Sequence, residues 1–198
     1  MRDNPKIWFL RHGQTEWNAE HRLQGQLDSP LTAQGRADAA RQAEILEPVL
    51  ATRPQCFASP LGRACLTADI ALGGVPYMTD TRLMEVHTGQ WQGVFRAEAV
   101  AQRQDLADAT DLDIYCAAPG GEGFDRFRSR IATFLDTLTA PSVIVAHGLL
   151  GQVLRGLICG LDRAEMGTLP NGQGCVYLLE NGAETVLRAG KLQQTRLR

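Results

Sequence analysis

The sequence predicts an α/β fold, a three-layer α/β/α sandwich around a mostly parallel sheet. Three short apolar runs, at residues 6–10 (KIWFL), 55–59 (QCFAS) and 142–146 (SVIVA), have the length and composition of buried strands. Stretches with helical features separate these runs. Strands that alternate with helices favour a parallel sheet with helices on both of its faces.

The helices of this fold are marked by caps and by periodicity. Thr32 is a suitable N-cap for a helix that runs toward residue 50, and Pro48 should kink that helix or end it early. Pro60 should open a second helix through about Leu72. Residues 95–108 form a weaker helical stretch.

The second half of the chain continues the pattern. Helix 123–138 is the clearest, because its large apolar side chains fall on one stripe: Phe124, Phe127, Ile131, Leu135 and Leu138. The strand at 142–146 precedes a Gly-rich apolar helix through about Gly160. The chain then forms a predicted hairpin that turns at Asn181-Gly182.

Size and composition indicate one ordinary globular domain over residues 1–198. There are 198 residues, of which 44% are hydrophobic and 21% charged, with a net charge of −2. Neither a repeat nor a linker interrupts the chain. A balance this close to neutral does not favour a nucleic-acid or anionic-membrane surface, so any anion specificity must come from a few placed basic residues.

The cysteines and the apolar runs predict a cytoplasmic protein. The five cysteines are scattered and include no CxxC pair, which is typical of reduced thiols in a core. The apolar run near the N-terminus is too short for a signal peptide. No run approaches the roughly 18 apolar residues of a membrane-spanning helix.

Basic and imidazole groups follow the ends of the three strands. Arg11 and His12 come after the first strand, Arg63 lies one turn into the helix after the second, and His147 follows the third. Because ligands bind at the carboxyl ends of the strands in open α/β sheets, these groups should converge on one crevice. Two guanidiniums, two imidazoles and two helix N-termini predict a phosphate site. The glycines beside both histidines, Gly13 and Gly148, fit a close approach of backbone to ligand.

Six segments in this order resemble the motifs of the histidine phosphatase superfamily, which contains the cofactor-dependent phosphoglycerate mutases and many small phosphatases. They extend over nearly the whole chain: FLRHGQTEWN (9–18), RLQGQLDSPLT (22–32), SPLGRACLTA (59–68), LMEVHTGQWQG (83–93), PGGE (119–122) and VAHG (145–148). The resemblance implies a phosphoglycerate mutase-like sandwich.

The resemblance also implies a role for each residue of the crevice. His12 would be the nucleophile and form a phosphohistidine, a covalent intermediate that splits one displacement into two easier steps. Arg11, Arg63 and His147 would hold the phosphate oxygens in the transition state. Glu85 would protonate the leaving oxygen and then activate water.

Further residues of these motifs are candidates for binding. Asn18 and Gly148 would contact the phosphate, and Gln24 and Gly25 the rest of the substrate. His87 could lie at the mouth of the pocket or on the surface without a role in binding. Trp91 could contact the substrate or serve as a packing residue. We expect no metal and no cofactor, because the arginines already neutralise the phosphate and no ligand set with metal spacing occurs.

The predicted activity is hydrolysis of a small phosphorylated metabolite. The alternative is a mutase, which returns the phosphoryl group to the bound intermediate. The mutases of this family carry Arg and Tyr where this chain has Val86 and Thr88, and after Gly93 only Arg96 and Arg103 could hold a substrate carboxylate. Hydrolysis is therefore favoured.

A third reading, a non-catalytic protein that binds phosphorylated ligands, would predict a missing catalytic position. All five positions are filled, which favours an enzyme. Residues 84–122 are expected to form the cap that sets specificity. The chain should act as a monomer or a homodimer without nucleic-acid or membrane partners, and the natural substrate stays open.

Overall fold

One sheet runs through the part of the chain that the structure describes. The structure is a computed structural model, and it describes residues 4–190 and the backbone of residues 196–197. The strands are β1 (Ile7–Arg11), β2 (Gln55–Ala58), β3 (Met78–Thr79), β4 (Ser142–Ala146), β5 (Cys175–Glu180), β6 (Ala183–Arg188) and β7 (Arg196–Leu197). Their spatial order is β3-β2-β4-β1-β5-β6-β7.

The sheet has a parallel half and an antiparallel half. Strands β3, β2, β4 and β1 are parallel to one another, whereas β5, β6 and β7 join by antiparallel pairing. As β6 again runs in the direction of β1, the sheet is mostly parallel, as predicted. The predicted hairpin is also confirmed, because β5 and β6 pair across the turn at Asn181-Gly182.

Helices cover both faces of the sheet. They are α1 (Glu16–Ala19), α2 (Ala33–Leu50), α3 (Gly62–Ala71), α4 (Arg96–Gln102), α5 (Asp111–Cys116), α6 (Gly123–Leu135), α7 (Gly148–Cys159) and α8 (Arg163–Thr168). Helices α6 and α7 share one hydrophobic core with the sheet, and α2 and α3 share the other. This arrangement confirms the three-layer α/β/α sandwich.

Alternation along the strands divides the side chains between these two cores. In β4, Val143 and Val145 pack with α2 and α3, whereas Ile144 and Ala146 pack with α6 and α7. Successive side chains of a strand point to opposite faces, so a central strand of a covered sheet is apolar on both. This explains why all five residues of β4 are buried.

Three sequence predictions about helices need correction. Helix α2 does not end early at Pro48 but continues to Leu50. A proline in the last turn costs only one hydrogen bond of the helix, and Leu46 and Val49 still pack against the sheet. Helix α3 begins at Gly62 rather than at Pro60. The helix expected over residues 95–108 is broken, since α4 ends at Gln102 and a 3₁₀ turn follows.

Residues 84–122 have a small core of their own. Its buried members are Leu23, Trp91, Ala99, Leu106, Ile114 and Ala118. Only Leu23 comes from outside this range. Val86 and Leu112 of the segment belong to the main core, so the segment packs both on itself and on the sandwich. None of the helices within the described residues is long and apolar enough to cross a membrane.

Candidate active site

The predicted junctions meet at the carboxyl ends of three adjacent parallel strands. Arg11 is the last residue of β1, and the backbone N–H of His12 donates to the Ala146 carbonyl at 2.9 Å. The N–H of Ser59, which follows β2, donates to the Val145 carbonyl at 2.9 Å. These bonds extend the sheet ladder by one residue and place the following side chains at one edge.

A cavity of about 180 Å³ opens at this edge. Its lining includes eight of the predicted site residues and four others. The eight are Arg11, His12, Asn18, Gln24, Gly25, Arg63, Glu85 and Gly148, and the four are Asp111, Tyr115, Leu149 and Asn171. The polar character of this lining fits a charged ligand better than an apolar one.

The ring of His12 is held in one tautomer. Its Nδ1 lies 2.7 Å from the Gly13 carbonyl, which can only accept, so Nδ1 carries the proton. Its Nε2 accepts a hydrogen bond from Arg63 Nε at 3.2 Å and therefore bears the lone pair. Burial, followed by the charges of Arg63 and Arg11, lowers the pKa of His12 well below its ordinary value. The imidazole is thus neutral at neutral pH, as a nucleophile must be.

Arg63 is buried and fixed by four hydrogen bonds. Besides His12, its guanidinium donates to the carbonyls of Leu27 and Gly25, at 2.7 and 2.8 Å, and to Asp28 at 2.9 Å. The loop that carries these acceptors, residues 24–28, thereby sets the plane of the guanidinium. Burial lowers the pKa of Arg63 and Asp28 raises it, but an arginine stays protonated in proteins.

Arg11 has a buried donor without a partner. Its Nη1 donates to the Asn171 carbonyl at 2.6 Å, whereas its Nε makes no hydrogen bond. A buried unpaired N–H is costly, and a ligand oxygen would satisfy it. A methyl group at Gly148 would lie 3.2 Å from this Nε and 2.5 Å from Asn171 Nδ2. Gly148 therefore leaves room at the point where an anion would approach Arg11.

The carboxylate of Glu85 lies on the N-terminus of α7. Its oxygens accept the backbone N–H groups of Leu149 and Leu150, both at 3.0 Å, and that of Val86 at 3.0 Å. These bonds favour the charged form, yet burial outweighs them and raises the pKa of Glu85. The carboxyl group therefore keeps its proton to higher pH than an ordinary glutamate.

His147 lies beside His12, although it does not line the cavity itself. The two ring centroids are 5.2 Å apart, and His147 Nε2 makes a 2.7 Å hydrogen bond with Ser59 Oγ. Its Nδ1 is buried without a partner. Burial and the charge of Arg63 lower the pKa of His147 well below its ordinary value.

Asn18 and Gln24 are joined through Thr15. Asn18 Oδ1 accepts the Thr15 N–H at 3.2 Å, and Gln24 Nε2 donates to the Thr15 hydroxyl. Gln24 Oε1 is buried and unpaired. Both amides line the cavity and keep hydrogen-bonding capacity for a ligand.

Three predicted positions lie apart from the cavity. Trp91 is 1% exposed, belongs to the core of residues 84–122, and donates from Nε1 to Gln102 at 3.0 Å. Its place is that of a packing residue, one of the two alternatives. The half-buried His87 is held by a bond from the Gly89 N–H to its Nδ1 at 3.2 Å. Gly13 packs its backbone against Gly35, so its small size serves chain packing rather than a ligand.

Four cavity residues were missed from the sequence. Asp111, Tyr115 and Leu149 line the cavity from α5 and α7, and the first two lie within the expected cap, residues 84–122. Asn171 lies in the loop before β5, where the pattern indicated only the start of a hairpin. No local motif marks these positions, because their role depends on how distant segments pack.

The loop that carries Asn171 is held in place by buried side chains of α7. Arg155 Nη2 donates to the Pro170 carbonyl at 2.6 Å, and Gln152 Nε2 to the Leu169 carbonyl at 2.7 Å. Arg155 also forms an ion pair with Glu184 at 2.9 Å, in which each side chain is 1% exposed. This pair thus fixes the Pro170 carbonyl, one residue before the Asn171 carbonyl that accepts from Arg11.

Breaking this ion pair should destabilise the protein. In an Arg155→Met variant, Glu184 is left as an uncompensated buried charge, so we expect a loss of about 3–5 kcal/mol in unfolding free energy, measured by urea denaturation. Arg155→Met combined with Glu184→Gln should recover part of it. Arg103→Met, which breaks an exposed pair with Asp105, is the control and should change little. Equal losses in both single variants would contradict this assignment.

Metal-ligand clusters are lacking within the described residues. No group of three or more His, Cys, Asp or Glu side chains there could hold a metal ion. The free cysteines do not approach the cavity, and burial raises the pKa of Cys116 to about 12 and of Cys159 to about 11. Thiolate chemistry is therefore not supported at this site.

Comparison with known proteins matches this chain to one family over residues 7–188, the histidine phosphatase superfamily (branch 1). A glucosyl-3-phosphoglycerate phosphatase of Mycolicibacterium vanbaalenii is 37% identical over 174 residues, which cover 79% of this chain and 75% of that protein. A probable phosphoglycerate mutase of Proteus mirabilis is 32% identical over 167 residues, with 79% and 75% covered.

Among solved structures, a mycobacterial glucosyl-3-phosphoglycerate phosphatase in complex with VO3 superposes with a TM-score of 0.74 at 33% identity. The match covers 94% of this chain and 100% of that one. The fold agrees with this similarity. The chain belongs to the histidine phosphatase superfamily.

Proposed function

We propose that this chain hydrolyses phosphate monoesters of small metabolites through a phosphohistidine formed on His12. One observation carries the proposal. The Nε2 lone pair of a neutral, buried imidazole lies in a cavity lined by two guanidiniums, Arg11 and Arg63. A nucleophile and a cationic binding site for phosphate are thus provided in the same small volume.

The first step transfers the phosphoryl group to the enzyme. His12 Nε2 attacks phosphorus, an N–P bond forms, and the P–O bond to the alcohol breaks. Glu85, whose pKa is raised by burial, donates its proton to the departing oxygen. The alcohol leaves uncharged, and Glu85 remains as a carboxylate on the N-terminus of α7.

Water completes the cycle in the second step. The Glu85 carboxylate takes a proton from a water molecule while the water oxygen attacks phosphorus, and the N–P bond breaks. His12 recovers its lone pair, Glu85 recovers its proton, and inorganic phosphate is released.

The surrounding groups stabilise the charge that spreads over the phosphoryl oxygens. Arg11 supplies its unpaired Nε–H, and Arg63 retains one of its five N–H donors. Asn18 adds an amide donor from the cavity wall. His147 contributes through Nδ1, once that nitrogen carries the proton, which a dianionic ligand favours.

Mutase activity is the second candidate, because one of the relatives is named a probable phosphoglycerate mutase. Val86 and Thr88 replace the Arg and Tyr of the mutase pattern, and Val86 is fully buried. An intermediate that is held loosely diffuses away, and water then takes the phosphoryl group. We therefore favour hydrolysis.

Residues 84–122 form the proposed specificity cap of the single domain. They contribute Glu85, Asp111 and Tyr115 to the cavity lining and pack on a core of their own. The name of the mycobacterial relative makes glucosyl-3-phosphoglycerate one substrate to test. We further propose that the protein acts in the cytoplasm as a monomer or a homodimer.

The proposal is tested by metal-free hydrolysis of a substrate panel. The purified protein should release phosphate from p-nitrophenyl phosphate and from at least one phosphorylated metabolite, with rates unchanged after EDTA treatment and removal of the chelator. Malachite-green detection and a coupled mutase assay distinguish the two activities. A loss of activity on chelation that added Zn²⁺ or Mg²⁺ restores would contradict the metal-independent mechanism.

A further inference from the structure

The charged groups of the cavity are separated between its floor and its mouth. His12 and Arg63 are each 3% exposed and form the floor. The Asp111 side chain is 57% exposed, so it stands at the mouth, where it also lines the cavity. A phosphoryl group on the floor therefore directs the remainder of its substrate toward a carboxylate.

Both arginines of residues 84–122 are already paired with carboxylates. Arg96 donates from Nε to Asp111 at 2.7 Å, but it does not line the cavity. Arg103 pairs with Asp105 at 2.7 Å, again away from the cavity. Within the described residues, the cationic side chains that line the cavity are Arg11 and Arg63 on the phosphate side.

Neutral hydrogen-bonding groups make up much of the remaining wall. Gln24 Oε1 is buried without a partner and can accept a hydrogen bond from a hydroxyl group. Tyr115 lines the cavity, and burial together with the charge of Asp111 raises its pKa, so its hydroxyl stays protonated and can donate. The side-chain amide of Asn171 can do both.

We propose that Asp111 determines the specificity of this site, favouring monophosphates of uncharged, hydroxyl-bearing alcohols and disfavouring substrates with a second anionic group. The inference rests on the proposed phosphatase function and narrows its substrate class. A second anion near the mouth would meet the Asp111 carboxylate, whereas a polyol meets the unpaired Gln24 Oε1 and the polar side chains of Tyr115 and Asn171.

With this selectivity, the substrate in the name of the mycobacterial relatives should be a poor substrate for this chain. Glucosyl-3-phosphoglycerate carries a carboxylate in its glycerate part. In this cavity that group would compete with Asp111 for Arg96, rather than meet a free cation. A 37% identical relative can thus share the phosphate site and differ in the alcohol that it accepts.

Two esters with the same carbon skeleton test the proposal. Glycerol 3-phosphate and 3-phosphoglycerate differ only at the end group, a hydroxymethyl in the first and a carboxylate in the second. We expect kcat/KM to be at least about tenfold higher for glycerol 3-phosphate. If neither ester is turned over, the ratio of their inhibition constants against hydrolysis of p-nitrophenyl phosphate measures the same preference in binding.

The variant Asp111→Asn removes the charge and leaves Arg96 unpaired at the mouth. The ratio of kcat/KM for glycerol 3-phosphate to kcat/KM for 3-phosphoglycerate should then fall by about tenfold or reverse. Asp105→Asn is the matched control, because it removes the same charge from an exposed ion pair that does not line the cavity. It should leave both activities and their ratio unchanged.

The outcomes separate this inference from the proposed function. Equal use of the two esters by the wild-type protein, or a preference for 3-phosphoglycerate, overturns the specificity role while His12-dependent hydrolysis stands. A ratio that does not change in Asp111→Asn, or changes as much in Asp105→Asn, also overturns it. Complete inactivity toward p-nitrophenyl phosphate overturns both proposals together.

Discussion

Replacing His12 with alanine should lower the hydrolysis of p-nitrophenyl phosphate by at least about 10⁴-fold, because the covalent route disappears with its nucleophile. The cavity would keep both arginines, so the variant should still bind inorganic phosphate or vanadate. Steady-state kinetics measure the loss of kcat. Calorimetry, or inhibition of the residual hydrolysis by inorganic phosphate, measures the binding that the variant retains.

The structure offers a matched control for this experiment. His87 is half-buried and does not line the cavity, so His87→Ala should retain most of the activity toward p-nitrophenyl phosphate. Quenching the wild-type reaction in base should trap an alkali-stable, acid-labile phosphoryl group on the protein, and the His12 variant should show none. Activity that persists in the His12 variant would exclude His12 as the nucleophile.

The sequence predicted the position of the site because strand ends can be recognised locally. Arg11, Arg63 and His147 each follow an apolar run, and parallel strands bring their carboxyl ends to one edge. The runs also predicted the three layers, since a strand that is apolar on both faces requires helices on both. These inferences need only short-range pattern and one topological rule.

The mouth of the cavity depends on packing that no local pattern encodes. Asp111 and Tyr115 reach the cavity because the segment 84–122 folds on its own small core. Asn171 reaches it because Arg155 and Gln152, buried in α7, hold the loop before β5. Trp91 is large enough to contact a ligand, but it lies inside that small core. Only the tertiary structure distinguishes a substrate contact from a packing residue at this position.

Glu85→Gln should separate substrates by the basicity of their leaving groups. A glutamine keeps the size of the side chain but cannot donate the proton that an alkoxide requires. We expect kcat/KM for alkyl phosphates such as glycerol 3-phosphate to fall by about 10²–10⁴-fold, the usual contribution of a general acid. The aryl ester p-nitrophenyl phosphate should lose much less in its first step, because its phenolate leaves without a proton.

The same group should set the alkaline side of the pH profile. Burial raises the pKa of Glu85, so its protonated form persists to higher pH than an ordinary glutamate and is lost as the pH rises through that value. Burial lowers the pKa of His12, so its lone pair survives toward acid pH. The kcat/KM for alkyl phosphates should therefore be bell-shaped between these two limits, and the alkaline limb should vanish in Glu85→Gln.

A structural effect of this substitution can be told apart from a chemical one. The Glu85 carboxylate accepts hydrogen bonds from three backbone N–H groups. A glutamine has one oxygen and can accept only some of them, so the variant should lose some stability whether or not Glu85 is the acid. Lower stability would reduce the rates for alkyl and aryl esters by the same factor. Only the loss of the acid changes their ratio and removes the alkaline limb. Equal losses for both esters, with an unchanged profile, would assign Glu85 to holding the N-terminus of α7 and not to proton transfer.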